Sequence, residues 1–223
     1  MQTEKGTRAI LFDLDGTLTD PKPGITTCIQ YAMRELGHEV PHTDDLHWCI
    51  GPPLKGAFAK VLNTTDEAVI DRALALYRER FGTIGLFENT LYEEIPGTLQ
   101  TLRALGYRTL VATSKASVYA ERIVKHFGLA GLFDKVYGSE LNGIRSDKGE
   151  LIAYVMLTEN LLPAEVLMIG DREHDVIGAK KNGVPCIGVV YGYGTEEELR
   201  SGGALSIAAS PRQIIELVES HFG

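Results

Sequence analysis

Two carboxylates stand two residues apart, Asp13 and Asp15, at the end of a short apolar run in RAILFDLDGTLT, Arg8 to Thr19. In an extended backbone that spacing points both side chains to the same side. Two anions held together repel, so a nearby cation or a shared proton must relieve them. Gly16 supplies the backbone freedom for a sharp turn, and Thr17 adds a hydroxyl and an N–H suited to an anion. Asp-x-Asp-Gly is also an ordinary turn sequence. Its chemistry therefore depends on what the remainder of the chain brings to it.

The apolar run, Ala9 to Phe12, is continuous rather than alternating, as expected of a strand covered on both faces in a parallel sheet. The same pattern recurs downstream. Arg108 to Ala112 runs into Thr113-Ser114-Lys115, Val136 to Ser139 is a short strand, Val166 to Ile169 ends in Gly170-Asp171, and Val184 to Val189 follows. Helical segments separate them, opened by Pro96-Gly97 or stopped by Gly106, Gly128 and Gly183. A last amphipathic helix covers Pro211 to Val218. Strand, crossover helix and strand in alternation predict an α/β fold with a doubly wound parallel sheet, in which ligands bind outside the carboxyl ends of the strands. Asp13, Asp15, Thr113, Ser114 and Asp171 each end a strand, so they are expected to converge.

The interval from Pro21 to Tyr92 has a different character. Ile25, Cys28, Ile29, Ala32, Met33 and Leu36 share one helical face, Asp44 to Ile50 and Leu54 to Leu62 are helical, and Thr65-Asp66 opens a segment reaching Phe81. No buried strand is evident there. The expected organisation is an α/β core of residues 1–20 and 93–223 with a small all-helical domain, 21–92, inserted after the first strand.

Composition narrows the function classes. The chain has 223 residues, 44% hydrophobic and 23% charged, with a net charge of −8. That acidity argues against a nucleic-acid polymer or an anionic membrane as partner, both of which call for clustered Lys and Arg. The three cysteines, Cys28, Cys49 and Cys186, lack disulfide or zinc spacing and read as small buried side chains. The polar amino terminus, MQTEKGTR, has no apolar leader region, and no run approaches the ~18 residues of a membrane span. A cytoplasmic protein, monomer or homodimer, is expected.

Four separated pieces, Asp13-Leu14-Asp15-Gly16-Thr17-Leu18, Thr113-Ser114, Lys148 and Gly170-Asp171-Arg172-Glu173-His174-Asp175, together resemble the haloacid dehalogenase superfamily of phosphohydrolases across essentially the whole chain. The resemblance implies a magnesium-dependent phosphomonoester hydrolase. Asp13 would be the nucleophile, forming an aspartyl-phosphate, and Asp15 the general acid and base. Thr113 and Ser114 would hold phosphate oxygens, with Lys115 supporting them. Lys148 would neutralise the charge between Asp13 and the phosphoryl group. Asp13, Asp171 and the main-chain carbonyl of Asp15 would bind Mg2+, with Asp175 orienting that site from behind. Relatives often show Lys-Pro where this chain reads Arg145-Ser146-Asp147-Lys148, so Lys148 or Arg145 takes that role. The insert resembles the cap of phosphoglycolate phosphatases and related sugar-phosphate and nucleotide phosphatases. The stretches GDREHDVIGAKKNG and VVYGYGTEEEL, with Arg145 to Glu150, are similar to the phosphoglycolate phosphatase-like branch that includes 5′-nucleotidase-like members. Lys55, in Gly51-Pro52-Pro53-Leu54-Lys55, is the candidate contact for the leaving group.

Physical reasoning agrees with that implication. A phosphate monoester carries about two negative charges near neutral pH, so an attacking carboxylate needs the charge neutralised. A hard cation with oxygen ligands does this. A dehalogenase of the same fold would have no use for an acid such as Asp15 or for a cation held by Asp171 and Asp175. A phosphomutase shares every core residue named, and a non-catalytic phosphate-binding or signalling module is the alternative from another class.

Overall fold

The computed structural model describes residues 8–223; the polar stretch Met1 to Thr7, read above as leader-free, lies outside the described residues. Two compact units are present, one comprising the described residues to Thr19 together with Leu91–Gly223, the other Asp20–Thr90. The chain changes unit at β2 (Thr19–Asp20) and β3 (Thr90–Leu91), which pair as a two-stranded ribbon.

The larger unit is a doubly wound α/β layer structure. Its strands are β1 (Ala9–Phe12), β4 (Arg108–Ala116), β5 (Lys135–Ser139), β6 (Val166–Gly170), β7 (Cys186–Val189) and β8 (Ser206–Ala208), in the order β5-β4-β1-β6-β7-β8. Every neighbouring pair is parallel. β1 lies at the centre, with Phe12 opposite both Val111 and Ile169. That position explains its unbroken apolar sequence: all four residues are fully buried, and so is the whole of β6. Six helices complete the unit: α4 (Ile95–Ala104), α5 (Ser117–His126), α6 (Lys148–Glu159), α7 (Glu173–Lys181), α8 (Glu196–Gly202) and α9 (Gln213–Phe222). α6 and α7 pack on each other and on the sheet through Leu151, Ile152, Val155, Val176 and Ala179, among the apolar residues of one buried cluster. This sequence of short strands and crossover helices places the ends of β1, β4 and β6 side by side.

Three details differ from the sequence reading. β4 continues past Ala112 to Ala116, because the backbone resumes pairing with β5 after an irregularity at Ser114 and Lys115. α8 and β8 are additional elements. The first is an acidic single-face helix of seven residues whose Thr195 cap accepts a hydrogen bond from Glu198 N at 3.1 Å, and the second is a three-residue edge strand. Both are too short for periodicity to register.

The smaller unit contains α1 (Lys22–Glu35), a 3-10 segment at Thr43–Cys49, α2 (Leu54–Val61), α3 (Glu67–Phe81) and a 3-10 turn at Gly85–Phe87. The apolar face read from the sequence is its core: Ile25, Cys28, Ile29, Ala32 and Met33 are buried on α1, and Ile70, Ala73, Tyr77 and Phe81 on α3. Phe58 meets Tyr77 edge to face at 6.0 Å, and Tyr77 stacks on Phe81 at 5.2 Å. Asp66 caps α3 by accepting from Ala68 N at 2.9 Å. Arg80 grips both carboxylate oxygens of Glu88, at 2.6 and 2.9 Å. Among the described residues, no helix is long and apolar enough to cross a membrane.

Candidate active site

The end of the sheet defined by the C-termini of β1, β4 and β6 gathers buried charge. Asp13 continues the β1 ladder by donating its N–H to Ile169 O at 2.9 Å. Asp171 follows β6, and Asp175 lies on the first turn of α7. One carboxylate oxygen from each of Asp13, Asp171 and Asp175 lies within 4.8 Å of the others, and all three residues are buried. Asp13 and Asp171, two of the five strand-end residues expected to converge, thus lie together, with Asp175 of α7 beside them.

The turn after Asp13 is shaped by this cluster. Gly16 has φ +82°, and a Cβ there would stand 2.1 Å from Asp171 Oδ2, so both the backbone conformation and the space demand glycine. Leu18 and Thr19 donate to Leu14 O at 2.9 and 3.0 Å, which closes the turn. Asp171 is then held from three sides: beneath Gly16, by Thr17 Oγ1 at 3.4 Å, and by the backbone N–H of Tyr193, which donates to its Oδ2 at 2.8 Å. The Tyr191 hydroxyl donates to Thr17 O at 2.9 Å. The sequence marks the Tyr191–Tyr193 loop by family likeness alone and assigns it no part in the site; its physical signal is the glycine-punctuated run Tyr191-Gly192-Tyr193-Gly194 directly after a strand.

Lys148 opens α6, whose cap is the Asp147 side chain accepting from Glu150 N at 3.0 Å. Its ammonium group lies 3.0 Å from Asp13 Oδ1, 2.7 Å from Asp175 Oδ1 and donates to Ala112 O at 3.0 Å. Arg145 is directed elsewhere, pairing with Glu140 at 2.8 Å and lying over the Tyr154 ring at 4.3 Å. Of the two cations left open by the sequence, Lys148 is therefore the one beside Asp13. Asp175, read as acting from behind the metal site, offers an oxygen to the same cluster while also gripping Lys148. Its place four residues after Asp171 in the sequence does not reveal this partner.

Asp15 pairs with a different cation. Its Oδ2 is 2.8 Å from the Lys115 ammonium group, and its buried Oδ1 has no hydrogen-bond partner. Thr113 is buried, its Oγ1 accepting from Lys115 N at 3.3 Å, and the Ser114 carbonyl accepts from Ser139 Oγ at 2.8 Å. Lys55 belongs to the helical unit and there forms an ion pair with Glu67.

Burial dominates the electrostatics. It raises the carboxyl of Asp171 well above the usual range, an effect deepened by the charges of Asp175 and Asp13. It raises Asp175 despite Lys148, and Asp15 despite Lys115. For Lys148 burial disfavours the ammonium form, yet Asp13 and Asp175 together outweigh it and hold its pKa above the ordinary lysine value. Four buried carboxylates thus face two buried ammonium groups. Excess negative charge on oxygen donors, held within coordination reach of one another, suits a hard divalent cation.

The arrangement has known counterparts. The family model of haloacid dehalogenase-like hydrolases matches residues 10–189. Over 212 residues the chain is 46% identical to a 5′-nucleotidase of Pseudomonas aeruginosa, covering 95% of this chain and 96% of that protein. It is 36% identical over 185 residues to the tyrosine-protein kinase PtkA of Mycobacterium tuberculosis, covering 83% of this chain and 62% of that protein. A crystal structure of a predicted phosphatase from Clostridium acetobutylicum is similar with a TM-score of 0.92 and 41% identity, over 96% of this chain and 99% of that one. This chain belongs to the haloacid dehalogenase-like hydrolase family and is a phosphatase of that family.

Proposed function

We propose that the protein is a magnesium-dependent phosphomonoesterase acting on a small phosphorylated metabolite through an aspartyl-phosphate at Asp13. The observation that carries this reading is the buried imbalance of four carboxylates, Asp13, Asp15, Asp171 and Asp175, against Lys148 and Lys115. Asp13 and Asp171, with the main-chain carbonyl of Asp15, would hold the ion, and Asp175 is within reach to assist. A bound Mg2+ neutralises phosphate charge and orients the phosphoryl group.

The remaining work belongs to the chain's own side chains. Asp13 attacks phosphorus in line, its carboxylate oxygen forming the new P–O bond as the ester P–O bond breaks. Lys148 sits against the attacking carboxylate and offsets the charge that brings two anions together. Asp15 gives a proton to the leaving oxygen, then takes one from the water that hydrolyses the acyl-phosphate. Thr113 and the Ser114 amide hold the phosphate oxygens. The helical unit, 21–92 in the sequence reading, would carry the selection of the leaving group, with Lys55 as its candidate residue.

Likeness to a 5′-nucleotidase makes nucleoside 5′-monophosphates the first substrates to assay, ahead of phosphoglycolate and sugar phosphates. Likeness to a protein named as a tyrosine kinase favours a second reading, in which a hydroxyl acceptor replaces water at the second step, as it also would in a phosphomutase. Three buried cysteines, none in a disulfide among the described residues, and the metabolite class suit the cytoplasm. A panel of phosphomonoesters, assayed with magnesium and with chelator, tests the proposal. Release of inorganic phosphate in magnesium alone is expected; equal turnover in chelator, or none on any phosphate, would sink it. Phosphate appearing on an added alcohol rather than in solution would select the second reading.

A further inference from the structure

β4 and β5 fall out of step at one place. Thr113 pairs with Gly138 and Ala116 with Ser139, so Ser114 and Lys115 stand between pairs that are adjacent on β5. Such a bulge re-aims the side chains it carries. Two residues of β5 accommodate it. A Cβ on Gly138 would lie 2.4 Å from Lys115 O and 2.8 Å from Ser117 N, so the bulged backbone occupies the space a side chain would need. Ser139 Oγ donates to Ser114 O at 2.8 Å, and Ser117 Oγ donates to Ser139 O at 3.2 Å.

The consequence is the direction of Lys115. Its ammonium group reaches Asp15 Oδ2 at 2.8 Å, with the two side chains only 8% and 10% exposed, while Asp15 Oδ1 is buried without a hydrogen bond. One oxygen of the acid is fastened and the other is left without a hydrogen bond. We propose that Lys115, aimed by the Gly138-Ser139 bulge, is a positioning residue that fastens Oδ2 of Asp15 and so assigns proton transfer to Oδ1, rather than a ligand of the substrate phosphate. This rests on the phosphomonoesterase reading and the role of Asp15 within it. In the first step an Asp13 oxygen bonds to phosphorus, the ester P–O bond breaks, and its electron pair stays on the leaving oxygen. That oxygen takes the proton from Asp15 Oδ1, releasing an alcohol and leaving a carboxylate paired with Lys115. Water then adds to phosphorus, losing a proton to the same Oδ1, as the bond between phosphorus and the Asp13 oxygen breaks with its electron pair returning to the carboxylate; inorganic phosphate leaves and Asp13 is regenerated.

Leaving-group dependence separates the two roles. A nucleoside 5′-monophosphate expels an alkoxide that needs a proton, whereas p-nitrophenyl phosphate expels a stable anion that does not. Because kcat/KM reports the steps through alcohol release, it isolates the first transfer. In Lys115→Met, kcat/KM for the nucleotide is expected to fall at least about 30-fold and that for p-nitrophenyl phosphate less than about threefold, within the ~10²–10⁴-fold that acid–base catalysis supplies. Competitive inhibition by inorganic phosphate should stay as in the unaltered protein, and Lys115→Arg should recover part of the loss. Ser139→Ala, which loosens the bulge by removing the hydrogen bond to Ser114 O while leaving the Lys115 and Asp15 side chains intact, should show the same leaving-group bias at smaller size. Equal losses on both substrates with weakened phosphate inhibition would make Lys115 a phosphate ligand and overturn the proposal. Unchanged kinetics on both would overturn it too. Unaltered protein inactive on every phosphomonoester in magnesium would instead defeat the hydrolase reading, a separate result.

Discussion

The two ends of the central sheet hold comparable numbers of charged side chains and use them oppositely. At the amino-terminal end, Arg103 and Arg108 share Asp134 at 2.6 and 3.1 Å, and Arg108 also reaches Glu159 at 2.5 Å, which accepts from the Tyr137 hydroxyl. Two cations meet two anions there, and the ion-paired side chains keep between 15% and 35% of their surface in water. At the carboxyl-terminal end four carboxylates meet two ammonium groups, and all of them are almost sealed. Balanced, half-wet charge costs little to bury and ties β4, β5 and α6 together. Unbalanced, dry charge is expensive unless something else neutralises it. The difference separates charge placed for the fold from charge placed for a ligand.

If the second end is built for chemistry, removing a charge there should destroy activity without cost to the fold. Asp13→Asn is expected to lower kcat by about 10³-fold or more, the scale of losing a nucleophile. Its Tm in chelator should fall by no more than about 3 °C, roughly 1 kcal/mol for a chain of this size, because the change relieves repulsion. A large loss of Tm would mean that Asp13 is structural, and the comparison would fail. Next in size is the metal. Magnesium at a hundredfold excess over its Kd should stabilise the protein by about 2.7 kcal/mol, several degrees in a thermal melt, and Asp171→Asn should abolish the shift. A full shift in that variant would remove Asp171 from the ion.

Much of this contrast was legible in the sequence at one end only. An apolar tetrad running into Asp13, another into Gly170-Asp171, and the parallel-sheet rule were enough to bring distant acids together, because strand ends are set by local pattern. The cations were harder. Lys148 could not be told from Arg145, since both lie in one loop-to-helix stretch, and the choice depends on the left-handed turn at Arg145 and its pairing with Glu140. The aim of Lys115 depends on a bulge defined by the register of β5, which no single strand's sequence contains. The Tyr193 N–H on Asp171 is a backbone donor and leaves no side-chain signature. The amino-terminal network was invisible because Arg108, Asp134 and Glu159 are spread over three elements without fixed spacing.

The amino-terminal end should respond in the opposite sense, with stability lost and kinetics kept. Arg108→Met leaves Glu159 with Tyr137 alone among the partners described here and takes one of two arginines from Asp134; the loss of charged hydrogen bonds of this kind is about 1–3 kcal/mol, or several degrees of Tm. kcat/KM should not change. A matching fall in kcat/KM would show that the two ends are coupled through β4 and would end their separation into structural and chemical charge.

The smallest effect is a difference of slopes with pH, and it sharpens the comparison most. The Tyr137 hydroxyl and Arg108 hold the Glu159 carboxyl below its usual range, and Arg103 and Arg108 do the same for Asp134 against the effect of burial. A carboxyl lowered by folding binds fewer protons in the folded state, so its stabilisation is present above the unfolded pKa of about 4.3 and is lost as pH falls through the folded value. Glu159→Gln should therefore cost about 1 kcal/mol at neutral pH, with the gap from the unaltered protein closing below about pH 4. At the other end burial raises Asp171, so in chelator the folded state binds more protons and the sign reverses: its ionised form destabilises at neutral pH, and the penalty fades as acid is added. Asp171→Asn should then melt above the unaltered protein at pH 7 and lose that advantage on acidification. Thermal melts of both variants across pH 3 to pH 8, in chelator, read the two gaps directly; gaps of the same sign would refute the division of labour between the two ends of the sheet.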